Sequence, residues 1–236
     1  MWQGLYDELK DRDFTVIAVA MDHEVEAARP WIEAASPGYP CLIDREHLLA
    51  ELYGLVNVPQ AVWIDEAGRI VRPPETAGAY ESFRALDLET MQVPEGAAAM
   101  SAEVRKRYLD ALRDWAEKGA ESRHVLTADE AAARLPQQGE DQARAHVLFR
   151  LGLWLGEHGR DDEAEAALAE AARLHPESWT IWRQAAPKDA RGLAAGPAFW
   201  ERVRALGDRP YYAPVELDGM PAWRPGQSWR EPDGEA

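Results

Sequence analysis

The chain has 236 residues, 46% of them hydrophobic, and a formal net charge of −16. That length allows one large domain or two ordinary ones, and the hydrophobic fraction excludes global disorder. The acidic balance argues against nucleic acid and anionic membrane surfaces as partners, and no apolar run approaches the ~18 residues of a membrane span.

The first residues, MWQGLYDELK, are amphipathic and acidic rather than a signal peptide. The expected location is therefore the cytoplasm; an export signal upstream of this chain would not be visible in it. Trp2, Leu5, Tyr6 and Leu9 recur at i, i+3, i+4 and i+7 and predict a short helix over 2–10. Residues 15–20, TVIAVA, are β-branched and apolar throughout and predict a buried parallel strand. Asp22 is the expected N-cap of a helix over 24–34. Pro37-Gly38 is a turn, 40–44 (PCLID) a short strand, and 46–53 a helix closed near Gly54. The stretch 53–73, YGLVNVPQAVWIDEAGRIVRP, reads as a loop turning on Pro59, a buried strand over 61–65, a tight turn at 66–69 and a strand over 69–72. Alternation in the last strand predicts an edge with one wet face, and Pro73-Pro74 are expected to end the sheet.

Residues 54–65, GLVNVPQAVWID, resemble the G-V-x-x-x-P-T-x-F-L-I-D segment of thioredoxin-like redoxins of the TlpA/ResA and AhpC/TSA type. Gly68 and Arg69 match the D-x-x-G-x-[IV] hairpin that follows it there. DELKDRDFTVIAVAMD resembles the stretch after the active-site helix, and PCLIDREHLLAELYGL resembles the segment ending in Y-G-V. The resemblance covers residues 1–73, in order and at the expected spacing. It implies that Pro59 inherits the place of the family's active-site cis-proline, which faces a redox CxxC. Gln60 departs mildly from the usual Thr. The resemblance also implies a central strand between 15–20 and 61–65, leading into the CxxC, that this chain does not contain. Three arrangements answer that: the flanking strands close up, a partner supplies the strand, or the reading frame extends upstream through the motif. The last is the reading adopted, with a selenocysteine codon as one route to it.

Further on, 79–88 predicts a short helix or irregular chain and 92–100 a loop. Ser101 is the expected cap of a helix carrying Val104, Tyr108, Leu109, Leu112 and Trp115 on one face. Thr127 and Glu130 form a capping box for a helix to about Leu135, and 136–141 is a linker. Leu148, Leu151, Gly152, Leu155, Gly159, Ala164, Leu168, Ala171 and Pro176 resemble one tetratricopeptide repeat. Small Gly152 and Ala164 would let its two helices approach closely. A helix is expected over 199–206. The remainder of 187–236, with Trp200, Tyr211, Tyr212, Trp223 and Trp229, reads as an extended aromatic tail, disordered from Arg230 on.

The expected architecture is thus an incomplete α/β thioredoxin-like domain (1–78), a helical connector (79–142), a tetratricopeptide-like helix pair (143–186) and a Pro/Gly-rich aromatic segment (187–236). One cysteine, Cys41, cannot form an internal disulfide, a CxxC site or a zinc knuckle. Opening an apolar strand, Cys41 reads as a buried structural thiol rather than a nucleophile. The six histidines have no metal-ligand spacing and read as solvated; no metal or cofactor is expected. The acidic run 161–165 reads as a solvated helix N-terminus. The functional expectation is a thiol or selenol oxidoreductase acting on disulfides or peroxides, with its redox residues outside this chain, which alone would be inactive. The alternative is a non-catalytic module that binds a protein partner through the helical repeat.

Overall fold

The structure is a computed structural model and describes residues 1–190, 192–213 and 215–221. Trp223, Trp229 and the residues from Arg230 on lie outside the described residues. The elements follow in order: α1 (Trp2–Leu9), β1 (Ala18–Ala20), α2 (Val25–Ala35), β2 (Cys41–Ile43), α3 (Leu48–Tyr53), β3 (Gln60–Ile64) and β4 (Ile70–Thr76). Then come a 3-10 turn at Glu81–Ala85, α4 (Glu95–Lys118), α5 (Ala128–Arg134), α6 (Glu140–Glu157), α7 (Asp161–Leu174), α8 (Trp179–Ala185) and α9 (Pro197–Ala205). They form two compact units. The first comprises Met1–Val58, Trp63–Pro74 and Leu126–Pro187; the second comprises Pro59–Val62, Glu75–Val125 and the described residues from Lys188 on.

In the first unit, α1 buries Leu5 and Leu9, the stripe read from its spacing. β1 and β2 pair in parallel, with Ala18 opposite Cys41 and Ala20 opposite Ile43. Asp22 does not cap α2. Glu24 holds that position without a side-chain bond, because the helix starts later than its acidic lead-in suggests. The carboxylate that does cap a helix is Asp44, which accepts from the backbone N–H groups of Leu48 (2.8 Å), Leu49 (2.7 Å) and Ala50 (3.2 Å) at the start of α3. Gly54 ends α3 at φ +65°, and a Cβ there would lie 2.8 Å from Pro136. The hairpin turn is closed by Gly68 at φ +77° and by Asp65, whose carboxylate accepts from Ala67 N and Arg69 N.

β4 is longer than the prolines led one to expect. It runs through Pro73 and Pro74 to Thr76, and Val71, Arg72 and Pro73 are all buried. A proline forfeits only its own N–H and keeps its carbonyl and a φ compatible with extended backbone, so the strand runs on through the pair with the loss of ladder donors alone. Nor has β4 a wet face in this unit. Arg72 is buried with its guanidinium 5.4 Å from the Trp63 ring, and Leu126 N donates to the Val71 carbonyl.

Still in the first unit, α6 and α7 form an antiparallel pair. A Cβ on Gly152 would fall 2.7 Å from Leu168 Cγ and 3.2 Å from the Ala164 carbonyl, so only glycine permits this approach. Phe149, fully buried, packs with Ala145, Ala171, Leu174 and Ile181. Trp179 N, at the start of α8, donates to the Val56 carbonyl, tying the helices to the loop before Pro59. The Thr127–Glu130 capping box of α5 is present in both directions, at 3.3 Å and 2.8 Å.

The second unit is built on α4. It begins at Glu95, not at Ser101, and takes in most of the stretch expected to be a loop. The alanines of EGAAAM are the strongest helix formers, and Pro94 sits at the N-cap, where a missing N–H costs nothing. Tyr108 is buried against Gly78, whose φ is +67°. Glu81 accepts from Tyr211 N (2.7 Å) and Tyr212 N (2.9 Å) through one oxygen and from Arg84 (2.9 Å) through the other. Arg84 donates onward to the carbonyls of Gly207 and Arg209. Phe83 packs edge-on to Tyr211, ring centres 4.8 Å apart. The aromatic segment thus folds back onto its unit, and it does so beyond Tyr212: Thr76 Oγ1 donates to the Ala213 carbonyl (2.7 Å), and Val215 and Leu217 are buried.

Candidate functional site

The strands decide what the first 76 residues can do. Described strands form two two-stranded sheets, β1 with β2 and β3 with β4; β1 and β3 are not neighbours in one sheet. In a parallel ladder alternate residues turn to the partner. Ala18 N donates to the Pro40 carbonyl and Ala20 O accepts from Asp44 N, so Ala18 and Ala20 face β2. The N–H and C=O of Val19, and those of Ile17 just before the strand, therefore point to the opposite edge. In the hairpin, Asp65 N donates to Arg69 O and Ala77 N to Pro59 O, which turns the odd residues of β3 towards β4. Val62 and Ile64 then point their backbone groups away from β4. Of the side chains on these edges, Ile17 is 59% exposed and Ile64 42% exposed, while Val19 and Val62 are half-buried. The expectation that both strands are buried is corrected here. Of the residues within β1 and β3, only Trp63 is buried, because burial of an apolar strand needs covered faces that its own sequence cannot supply.

Pro59 lies in the second unit, exposed, at the entry to β3. Cys41 lies in the first unit at the start of β2. It is half-buried rather than buried, and its thiol is 3.7 Å from the Tyr39 carbonyl. Burial, followed by the nearby Cys41, pushes the Tyr39 hydroxyl above its ordinary range. Carboxamidomethylation of the folded protein is expected to modify Cys41 no faster than free cysteine. Mass spectrometry of a quenched time course checks this, and faster labelling would make Cys41 a reactive thiol.

Residues 2–72 match the AhpC/TSA family. The N-terminal part of this chain is thioredoxin-like. No curated protein and no solved structure matches the chain. Among the described residues, no helix is long and apolar enough to cross a membrane, and no group of three or more His, Cys, Asp or Glu side chains is placed to hold a metal ion.

Sequence reasoning missed one group. His47, His146 and His175 were expected to be solvated, and all three are buried, with 1%, 3% and 8% of their surfaces exposed. His146 sits one turn from Phe149 and beside Ala145 on the apolar face of α6, the one signal that would have found it. His47 Nε2 is 3.2 Å from the Met21 carbonyl, just past β1, and its ring lies 4.6 Å from that of Phe149. His146 and His175 meet edge to face at 5.8 Å. The Nδ1 atoms of all three are buried without a hydrogen-bond partner. Burial lowers the His47 pKa from 6.5 to about 4, and burial likewise lowers those of His146 and His175.

Proposed function

We propose that this polypeptide is the strand-accepting body of a thioredoxin-like oxidoreductase of the TlpA/ResA kind, whose redox residues reside on a segment that pairs along β1 and β3. The observation that carries this reading is the divided sheet. The two outward edges, at Ile17 and Val19 and at Val62 and Ile64, belong to the strands that flank the family's redox strand. In the family such a segment carries the reacting thiolate or selenolate. That group attacks a disulfide or peroxide, and the proton it loses passes to the leaving sulfur or oxygen. Pro59 shapes the pocket and offers backbone contacts to the substrate. The chain from 1 to 236 has no second cysteine and performs no such exchange alone.

The test is the intact mass of the protein from its own source. A mass well above 26.4 kDa, with additional cysteines or a selenium isotope pattern in an N-terminal peptide, is expected. A mass equal to that of the chain overturns the reading. A second reading, a non-catalytic module with a tetratricopeptide-like helix pair, is favoured by one surface. Val147, Leu151 and Trp154 form an exposed apolar stripe at i, i+4 and i+7 along α6. In that case the partner is a protein laid along α6.

A further inference from the structure

The geometry points to an acid-sensitive latch that holds the α6–α7 helix pair onto the thioredoxin-like part of the first unit. Three buried imidazoles form it, one on each element that meets there: His47 before α3, His146 on α6 and His175 at the end of α7. His47 joins them by reaching both the Met21 carbonyl and the Phe149 ring. This inference concerns the helical pair and does not rest on the redox reading.

A closed latch requires neutral rings. A charged ring carries protons on both nitrogens, and in each of the three the Nδ1 atom is buried with no acceptor. The charged groups around the trio do not provide one. Asp44 and His23 act on His47, Glu51 and Arg150 on His146, and Glu177 on His175. The Asp44 carboxylate is committed to three backbone N–H groups of α3, and Glu51 is paired with Arg150. His146 and His175 also face each other, so the first to charge disfavours the second. Metal binding does not account for the cluster, since among the described residues no three such donors converge.

The sign follows from proton counting. The closed state holds the rings neutral, whereas an open or unfolded state takes up protons below about pH 6.5. The latch is therefore at full strength above that pH and weakens as pH falls, down to about 4 for His47. The opening constant rises about tenfold per pH unit for each imidazole that is charged on opening.

Hydrogen exchange across pH 7.5–4.5, corrected for intrinsic rates, reads this in peptides from α6 and α7, with α4 of the second unit as the reference. The expected result is a rise in the opening constant of at least tenfold per pH unit below 6.5 in α6 and α7, absent from α4. Replacing two rings, His146→Phe with His175→Phe, is expected to flatten that slope. Equal slopes in α4, or an unchanged slope in the double variant, overturn the latch. Ring-proton NMR of the unmodified protein decides the matter even where the variant does not fold. Rings that titrate near pH 6.5 while α6 and α7 remain protected also overturn it, and rings that stay neutral until the helices open support it.

Discussion

Truncating Phe149 to alanine is expected to destabilise the protein by about 3–5 kcal/mol, the usual cost of removing a fully buried aromatic ring. Phe149 is 0% exposed and touches both halves of the first unit: Ala145, Ala171, Leu174 and Ile181 among the helices, and the His47 ring before α3. The cavity cannot be filled by its neighbours, because the approach of α6 to α7 is already limited by Gly152 against Leu168. Urea unfolding at pH 7.5 measures the change. A loss below about 1 kcal/mol would mean that α6 is not packed on α3 as described. Phe149→Leu, which keeps most of the volume, is expected to recover more than half of the loss.

Replacing Glu81 with alanine is expected to cost a comparable amount, about 3–5 kcal/mol, for an electrostatic reason. Glu81 and Arg84 are both nearly buried, and the pair satisfies two backbone donors, of Tyr211 and Tyr212, and two carbonyls, of Gly207 and Arg209. Removing the carboxylate strands the guanidinium in a dry site beside Phe83 and leaves both N–H groups without their acceptor. The segment at 207–212 should then become protease-sensitive, which limited proteolysis reads directly. The double variant Glu81→Leu with Arg84→Met is expected to regain only the part due to the stranded charge, since the N–H groups of Tyr211 and Tyr212 still lack their acceptor. A single variant as stable as the parent protein would show that the segment is held by its aromatic packing alone.

Local chemistry was legible wherever the cause lies within a few residues. The α1 stripe, the Thr127–Glu130 box, the Gly68 turn and the close approach at Gly152 all follow from neighbours in sequence or from the size of one residue. The reading failed where the deciding partner is distant. Ser101 resembles an N-cap, but the alanines before it extend α4 back to Glu95. Pro73 and Pro74 resemble a stop, yet β4 continues through both. Histidine has a polar ring, so a solvated reading is natural. What buries His47 is Phe149, about a hundred residues away in the chain and beyond the reach of any periodicity.

By itself, then, the sequence determined the thioredoxin-like order of elements over its first 72 residues, the parallel strand type and the absence of a cysteine pair, because pattern and composition are local properties. Only the tertiary structure decided that β1 and β3 lie in separate sheets with outward edges, that Glu81 clamps the aromatic segment, and that three imidazoles are shut away from water. Each of these depends on which backbone groups and surfaces remain after distant segments have packed. Burial and hydrogen-bond satisfaction are set by the whole fold rather than by any stretch of it.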